Sequence, residues 1–231
     1  MTKRFAVIGL GHFGLNLSLS LMGRKAEVLA LDVREERVEL VRDKVSHAVV
    51  ADSKDIKALK GLGLTEMDAV IVAIGEDFES SMLTTAHLQE LGVKNIVNRV
   101  VSPVHEKLLN LMKIEDLVLP EGDSAEQLAR RLTIQGVVES LELNDEYSIA
   151  EVKVPDPFIG KTLNEIDLRK KYHVNLVTVI RRKESRKFLT LGEREKSLVV
   201  LGVPDSDMQF TTDDILVVFG KEKYISALTE G

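Results

Sequence analysis

Cysteine is absent from the 231 residues, which excludes disulfides, thiolate metal sites and a cysteine nucleophile, and fits a reducing cytosol. Basic excess is absent too. Lys and Arg number 31 against 37 Asp and Glu, a formal net charge of -6, so no surplus exists to displace counterions from a nucleic-acid backbone. Local basic clusters such as Arg181-Arg182-Lys183 read as solvated strand ends. Long hydrophobic runs are missing: the longest, such as Ala69 to Ile74, fall far short of the about eighteen residues that a spanning helix needs. A secretion signal is not expected either, although Lys3 and Arg4 precede an apolar stretch ending near Met22. Gly9, Gly11, His12, Gly14 and Asn16 interrupt that stretch, and no small-x-small cleavage pattern follows. The five histidines, His12, His47, His87, His105 and His173, show no H-E-x-x-H spacing, and there is no G-x-S-x-G elbow, internal repeat or low-complexity tract. With 44% hydrophobic and 29% charged residues, the composition is that of a soluble globular protein.

What is present begins at once. A strand-like run, Arg4-Phe5-Ala6-Val7-Ile8, leads into Gly9-Leu10-Gly11-His12-Phe13-Gly14, and Asp32 closes a second apolar run. A lone G-x-G-x-x-G is weak, but here a strand precedes it, a helix-length segment follows, and an acidic residue stands about twenty positions on. Gly9 suits the tight turn, Gly11 the approach of backbone to a phosphate, and Gly14 close packing of helix on strand. Phosphate would then sit on the unpaired amides and positive end of that helix, with Asp32 accepting hydrogen bonds from ribose hydroxyls.

Apolar, β-branched runs recur at Phe5 to Ile8, Val28 to Leu31, Ala48 to Ala51, Ala69 to Ile74, Ile96 to Val101 and Leu117 to Leu119. Helix-length segments lie between them: Phe13 to Met22, Glu35 to Asp43, Asp55 to Leu62, Phe78 to Leu91 and Val104 to Met112. Strands alternating with helices predict an α/β fold, a Rossmann-like doubly wound parallel sheet of about six strands. Leu15, Leu17, Leu19 and Leu21 alternate like a strand, but the glycine turn requires a helix, whose face is Leu15, Leu19 and Met22. Pro120 closes the sixth strand, and Asp123 or Ser124 caps a connector helix running toward Gly136.

Beyond a boundary near residues 137 to 146, short strands follow at Tyr147 to Val154, Leu176 to Ile180, Leu198 to Leu201 and Ile215 to Phe219. Pro155, Pro157, Gly160, Gly192, Pro204 and Gly220 punctuate them, and Lys161 to Tyr172 and Lys221 to Leu228 have helical character. The reading is two domains, 1–136 and 137–231, the second a small α+β lobe.

The pocket of such a sheet lies outside the carboxyl ends of its strands, where strand order reverses. Candidate wall residues are Asp52 and Ser53, Ile74 and Gly75, and Arg99; with the glycine turn from Gly9 to Gly14, Asp32-Val33 and Ala73 they make up the expected nucleotide site. Asp52 reads equally as a helix N-cap or as a base or ribose contact, and Arg99 as a phosphate ligand or as the partner of an internal carboxylate. Gly160-Lys161-Thr162 imitates the end of a P-loop, but the earlier glycine it needs is Pro155. Thr162 reads instead as the cap of a helix continuing through Leu163-Asn164-Glu165. His173, after Tyr172, reads as a contact with a helix dipole. Catalytic residues are not expected.

Further segments carry a resemblance: Val70-Ile71-Val72-Ala73-Ile74-Gly75, Pro120-Glu121-Gly122-Asp123, Asp145-Glu146-Tyr147-Ser148-Ile149, and Thr212-Asp213-Asp214-Ile215-Leu216-Val217-Val218-Phe219-Gly220. With the glycine turn and Asp32, the chain resembles over its whole length the RCK (KTN) family, the cytosolic regulatory subunits of Ktr/Trk-type potassium uptake systems. The resemblance implies homodimers assembled into an octameric ring at the inner face of the cell membrane, under a membrane-embedded potassium transporter. It implies also that ATP, ADP or NAD(H) in the first lobe changes the shape of the ring. Where the Ktr branch commonly has an arginine reaching a terminal phosphate, this chain has His12, a pH-sensitive phosphate donor or a plain helix-start residue. Glu121 matches an acidic position that helps hold a divalent cation, or is a solvated turn carboxylate. Cyclic di-AMP, which some relatives bind in the second lobe, would correspond to the region of Ile166, Arg169, His173 and Pro204. The rival reading is a NAD-dependent oxidoreductase whose second lobe holds substrate, with Asp32 favouring NAD over NADP.

Overall fold

A computed structural model describes residues 2–133, 136–186 and 194–230; the turn expected at Gly192 lies outside them. The chain divides into two compact units, Met1–Gly122 and Asp123–Gly231.

In the first unit strands and helices alternate: β1 (Arg4–Ile8), α1 (His12–Gly23), β2 (Glu27–Asp32), α2 (Glu35–Glu39), β3 (His47–Val50), α3 (Ile56–Lys60), β4 (Ala69–Val72), α4 (Phe78–Glu90), β5 (Ile96–Arg99), α5 (Pro103–Leu111) and β6 (Asp116–Val118). The six strands pair in parallel in the order β3-β2-β1-β4-β5-β6, the doubly wound sheet that the alternation predicts. Side chains alternate across it. Ala6 and Ile8 point to one apolar layer with Leu59 of α3, Leu88 of α4 and Leu109 of α5. Val7, Val28, Ala30 and Ile71 point to the other, against Val38 of α2 and the flank of α1. Each of these leucines, buried to within 1% of completely, contributes about 1.5–3 kcal/mol of transfer free energy.

The face of α1 differs from the expected Leu15-Leu19-Met22 stripe. Its buried residues are Gly14 and Ser18, one turn apart, while Leu15, Leu17, Leu21 and Met22 pack alongside them. Small residues at the centre bring the helix close to the sheet, and the Ser18 hydroxyl donates a hydrogen bond to the Gly14 carbonyl at 2.7 Å.

Elements of the second unit run from α6 (Pro120–Thr133), which begins at the end of the first, through β7 (Val137–Glu142), β8 (Tyr147–Lys153), α7 (Leu163–Ile166), α8 (Leu168–Tyr172), β9 (Asn175–Arg186), β10 (Arg194–Val200), β11 (Asp214–Lys221) and α9 (Glu222–Glu230). The strands form an antiparallel sheet in the order β10-β9-β11-β8-β7. One apolar cluster joins Val152, Val179, Leu216 and Val218 of the sheet to Ile166, Leu168, Ile225 and Leu228 of the helices.

Four local expectations are corrected. Pro120 opens α6 instead of closing β6, so Asp123 and Ser124 lie inside the helix and do not cap it; a first-turn proline has no amide to lose. Residues 137–142 form an edge strand, paired among the described residues with β8 and shifted in register between Val137 and Glu139, where a boundary was expected. The helix expected over Lys161 to Tyr172 breaks at Asp167, whose φ of 53° is left-handed. Arg181 is not a solvated strand end. Its Nε and Nη2 hold the two oxygens of Asp214, 1% exposed, at 2.7 and 2.8 Å. Burial pushes the Asp214 carboxyl up, but the hydrogen bonds from Arg181 and Thr211 outweigh it and leave it below its ordinary value. At Thr162 the expected cap is present as a full capping box with Glu165, and the P-loop imitation ends there.

Candidate functional site

Register brings the carboxyl ends of the central strands together. Ile8 lies opposite Leu31 of β2 and Val72 of β4, the Gly9 amide donates to the Leu31 carbonyl at 2.7 Å, and the Ala73 amide donates to the Ile8 carbonyl at 2.7 Å. Strand order reverses here, with β2 and β3 on one side of β1 and β4 to β6 on the other, and a pocket of about 410 Å³ opens at that point. The volume falls within the range of small-molecule cofactor sites.

Its floor is apolar, from Ile8, Leu31, Ala73 and Ile74. Gly9, at φ 96°, takes the turn into α1. Gly11 is the N-cap of that helix, and neither a side-chain cap nor a first-turn carboxylate satisfies the leading amides. By contrast, Asp55, Asp77 and Ser102 accept amide hydrogen bonds at the starts of α3, α4 and α5. The N-terminus of α1 can therefore accept an anion.

Asp32, 5% exposed, ends β2 beside that turn. One oxygen accepts from the Leu10 amide at 2.6 Å and the other from the Arg34 amide at 2.9 Å, while Arg37 Nη1 stands 3.7 Å away. These contacts hold the Asp32 side chain in place beside the glycine turn. Across the mouth Glu76 receives Arg37 Nη2 at 2.8 Å and Arg34 Nη2 at 3.0 Å. The Arg37 hydrogen bond and charge hold the Glu76 carboxyl below its ordinary value.

Arg99 ends β5 and lines the pocket. Its guanidinium pairs with Glu121, lies 5.7 Å over the Phe13 ring, and keeps a buried Nε with no hydrogen-bond partner. Of the two sequence expectations for Arg99, the internal carboxylate is present, as Glu121. A second hollow of about 390 Å³, lined by Gly75, Val101, Ser102 and Glu121 among others, adjoins at Arg99.

Of the residues expected at the site, Gly9, Gly11, His12, Asp32, Val33, Asp52, Ser53, Ala73, Ile74, Gly75 and Arg99 line this pocket. Leu10, Phe13 and Gly14 do not; Leu10 contributes its amide to Asp32, Phe13 its ring beneath Arg99, and Gly14 its packing on Gly9. Asp52 is no N-cap, because Asp55 caps α3; its carboxylate accepts from the Lys54 amide at 2.9 Å. Ser53 shares a 2.7 Å hydrogen bond with Thr84 of α4. Glu121 faces Arg99, and the described residues bring together no group of three His, Asp or Glu able to hold a metal ion. In the second unit, Ile166 is buried in the core, Arg169 and His173 are exposed, and Pro204 is half-buried. The wall residues that sequence reasoning missed are Arg34, Arg37, Lys54, Glu76, Asp77 and Ser80. Each lies on a loop or first turn beyond a strand end already chosen, so extending the carboxyl-end rule a few positions along each loop finds them.

The TrkA-N domain model matches residues 5–120. The chain is 38% identical to the Ktr system potassium uptake protein C of Bacillus subtilis over 98% of its own length and 96% of that protein's. Among solved structures, the GsuK RCK domain superposes on the whole chain with a TM-score of 0.62 at 19% identity. The GsuK channel bound to NAD superposes on 99% of the chain with a TM-score of 0.61 at 19% identity. Those likenesses are of fold, and the chain spans 47% and 39% of the two GsuK chains. No described helix is long and apolar enough to cross a membrane.

Proposed function

Since this chain belongs to the TrkA-N domain family and is homologous to the potassium uptake proteins of Ktr systems, we propose that it is a cytoplasmic nucleotide sensor that regulates a membrane potassium transporter and catalyses no reaction. The observation that carries this reading is the pocket at the strand-order reversal, where an uncapped helix N-terminus, a fixed carboxylate and a partly unsatisfied arginine surround an apolar floor. An adenine nucleotide would lay its base on Leu31 and Val33, give its ribose hydroxyls to Asp32 and rest its phosphates on the amides opening α1. The NAD carried by the GsuK channel of the same fold supports NAD(H) as one candidate beside ATP and ADP.

Regulation follows from differential affinity. In an octameric ring of homodimers, a nucleotide shifts the balance between two shapes only as far as it prefers one, and each tenfold preference is worth about 1.4 kcal/mol. Arg99 would sense occupancy, because a phosphate would compete with Glu121 for its fork.

The test is calorimetric titration of the chain with ATP, ADP and NADH, together with co-purification of a membrane potassium transporter subunit. Asp32→Ala should weaken nucleotide binding roughly ten- to a hundredfold, the equivalent of about 1.5–3 kcal/mol for hydrogen bonds to a charged group. Absence of binding by the native chain, or steady oxidation of NADH with a small substrate, would overturn the reading.

A further inference from the structure

Two arginines beside the ribose carboxylate call for an explanation, since arginine near this position is how such sites accept a ribose 2′-phosphate. Arg34 follows Asp32 by two residues and Arg37 by five, and both guanidinium groups reach the pocket. Neither stands free. Glu76, carried on the opposite loop after β4, spans the mouth and takes Arg34 on one oxygen at 3.0 Å and Arg37 on the other at 2.8 Å. Arg37 also faces Asp32 at 3.7 Å. The corner is therefore balanced, two carboxylates against two guanidinium groups.

We propose that Glu76 is a specificity-determining residue that reserves the Asp32 corner for an unphosphorylated ribose by occupying the arginines a 2′-phosphate would need. The inference rests on the nucleotide reading above and adds to it the class of nucleotide accepted. A 2′-phosphate brings a charge of about −2. To be accepted it must displace Glu76 from both arginines and still lie beside Asp32, so repulsion from two carboxylates opposes it. A free 2′-hydroxyl needs only an acceptor, and Asp32 supplies one while the Glu76 bridge stays closed. Glu76 acts from 64% exposure, so solvent screens its effect, and a shift on the order of tenfold is expected rather than a thousandfold one.

The experiment is titration of the full chain with NADH and NADPH at low ionic strength. Native protein should prefer NADH. Glu76→Gln keeps the shape, removes the charge and frees Arg34 and Arg37; it should narrow the NADH-to-NADPH preference about tenfold, chiefly by tightening NADPH. Adding Arg37→Ala to Glu76→Gln should cancel the gain, which a general loosening of the loop would not. Equal affinity of the native chain for the two compounds, or an unchanged ratio in Glu76→Gln with NADH still bound, overturns this inference alone. Failure of the native chain to bind NADH, ATP or ADP overturns the nucleotide reading and this inference with it. Glu76→Ala, judged by the same ratio and by an unchanged thermal melt, serves as the second variant.

Discussion

Gly14 shows how little tolerance one residue can have: a Cβ built there lies 1.9 Å from the Gly9 carbonyl oxygen and 3.1 Å from the Ala73 Cβ. The contact is with backbone, so no rotamer relieves it. Gly14→Ala should push α1 off the sheet, cost about 1–3 kcal/mol and open the end of the pocket beside α1. A thermal melt and a nucleotide titration check it, and a variant with native stability would show that the helix has room to shift. The third glycine of the turn was legible from spacing alone. The partners of Arg99 were not, because Phe13 and Glu121 stand 86 positions before it and 22 after it and only the sheet order brings them together.

At the scale of elements, α4, β5 and α5 are joined by polar groups buried under the apolar layer. His105 of α5 is 0% exposed; its Nδ1 accepts from the Val101 amide at 3.3 Å, and its Nε2 faces Ser81 Oγ of α4 at 3.4 Å. Ser81 donates to Asn98 of β5 at 3.3 Å, and Asn98 donates to Thr85 of α4 at 2.5 Å. The edge of His105 meets Phe78 at 5.3 Å between centroids. Burial holds the imidazole below its ordinary 6.5, so the folded chain resists the proton that the unfolded chain accepts. The stabilisation is complete above about pH 6.5 and is lost as pH falls through the lowered folded value. Melting temperature should therefore decline between pH 7.5 and 5. His105→Gln should melt lower at pH 7.5 yet show a flatter profile, and a native profile already flat over that window would contradict the account. Strands and helices of this half were legible as apolar runs, whereas β7 was not. An edge strand with a shift in register and both faces partly exposed shows no strict alternation, and Val137 to Glu142 shows none.

Across the whole molecule, the two units solve burial differently. The parallel sheet of the first is covered on both faces and owns two apolar clusters; the antiparallel sheet of the second is served by one. A ligand that binds only the folded first unit must stabilise the chain by mass action. ATP, ADP or NADH at a hundred times its dissociation constant should contribute about 2.7 kcal/mol, visible as a raised melting temperature that Asp32→Ala loses at the same concentration. A melt unmoved by any of the three would argue against the pocket. The connector helix shows the limit of reading organisation from composition: α6 was placed with the first lobe, ending at residue 136, yet its contacts from Asp123 onward group with the second unit.

Spacing and periodicity alone determined the alternation of strands and helices, the glycine turn and the acidic residue that ends the second strand, because each depends on residues close together along the chain and on backbone sterics. Tertiary structure decided what closes the corner at Asp32, which carboxylate takes Arg99, and that Arg181 holds Asp214 in the core. Those pairings join charges 22 to 42 positions apart, and only the order and register of the strands bring them within reach of one another.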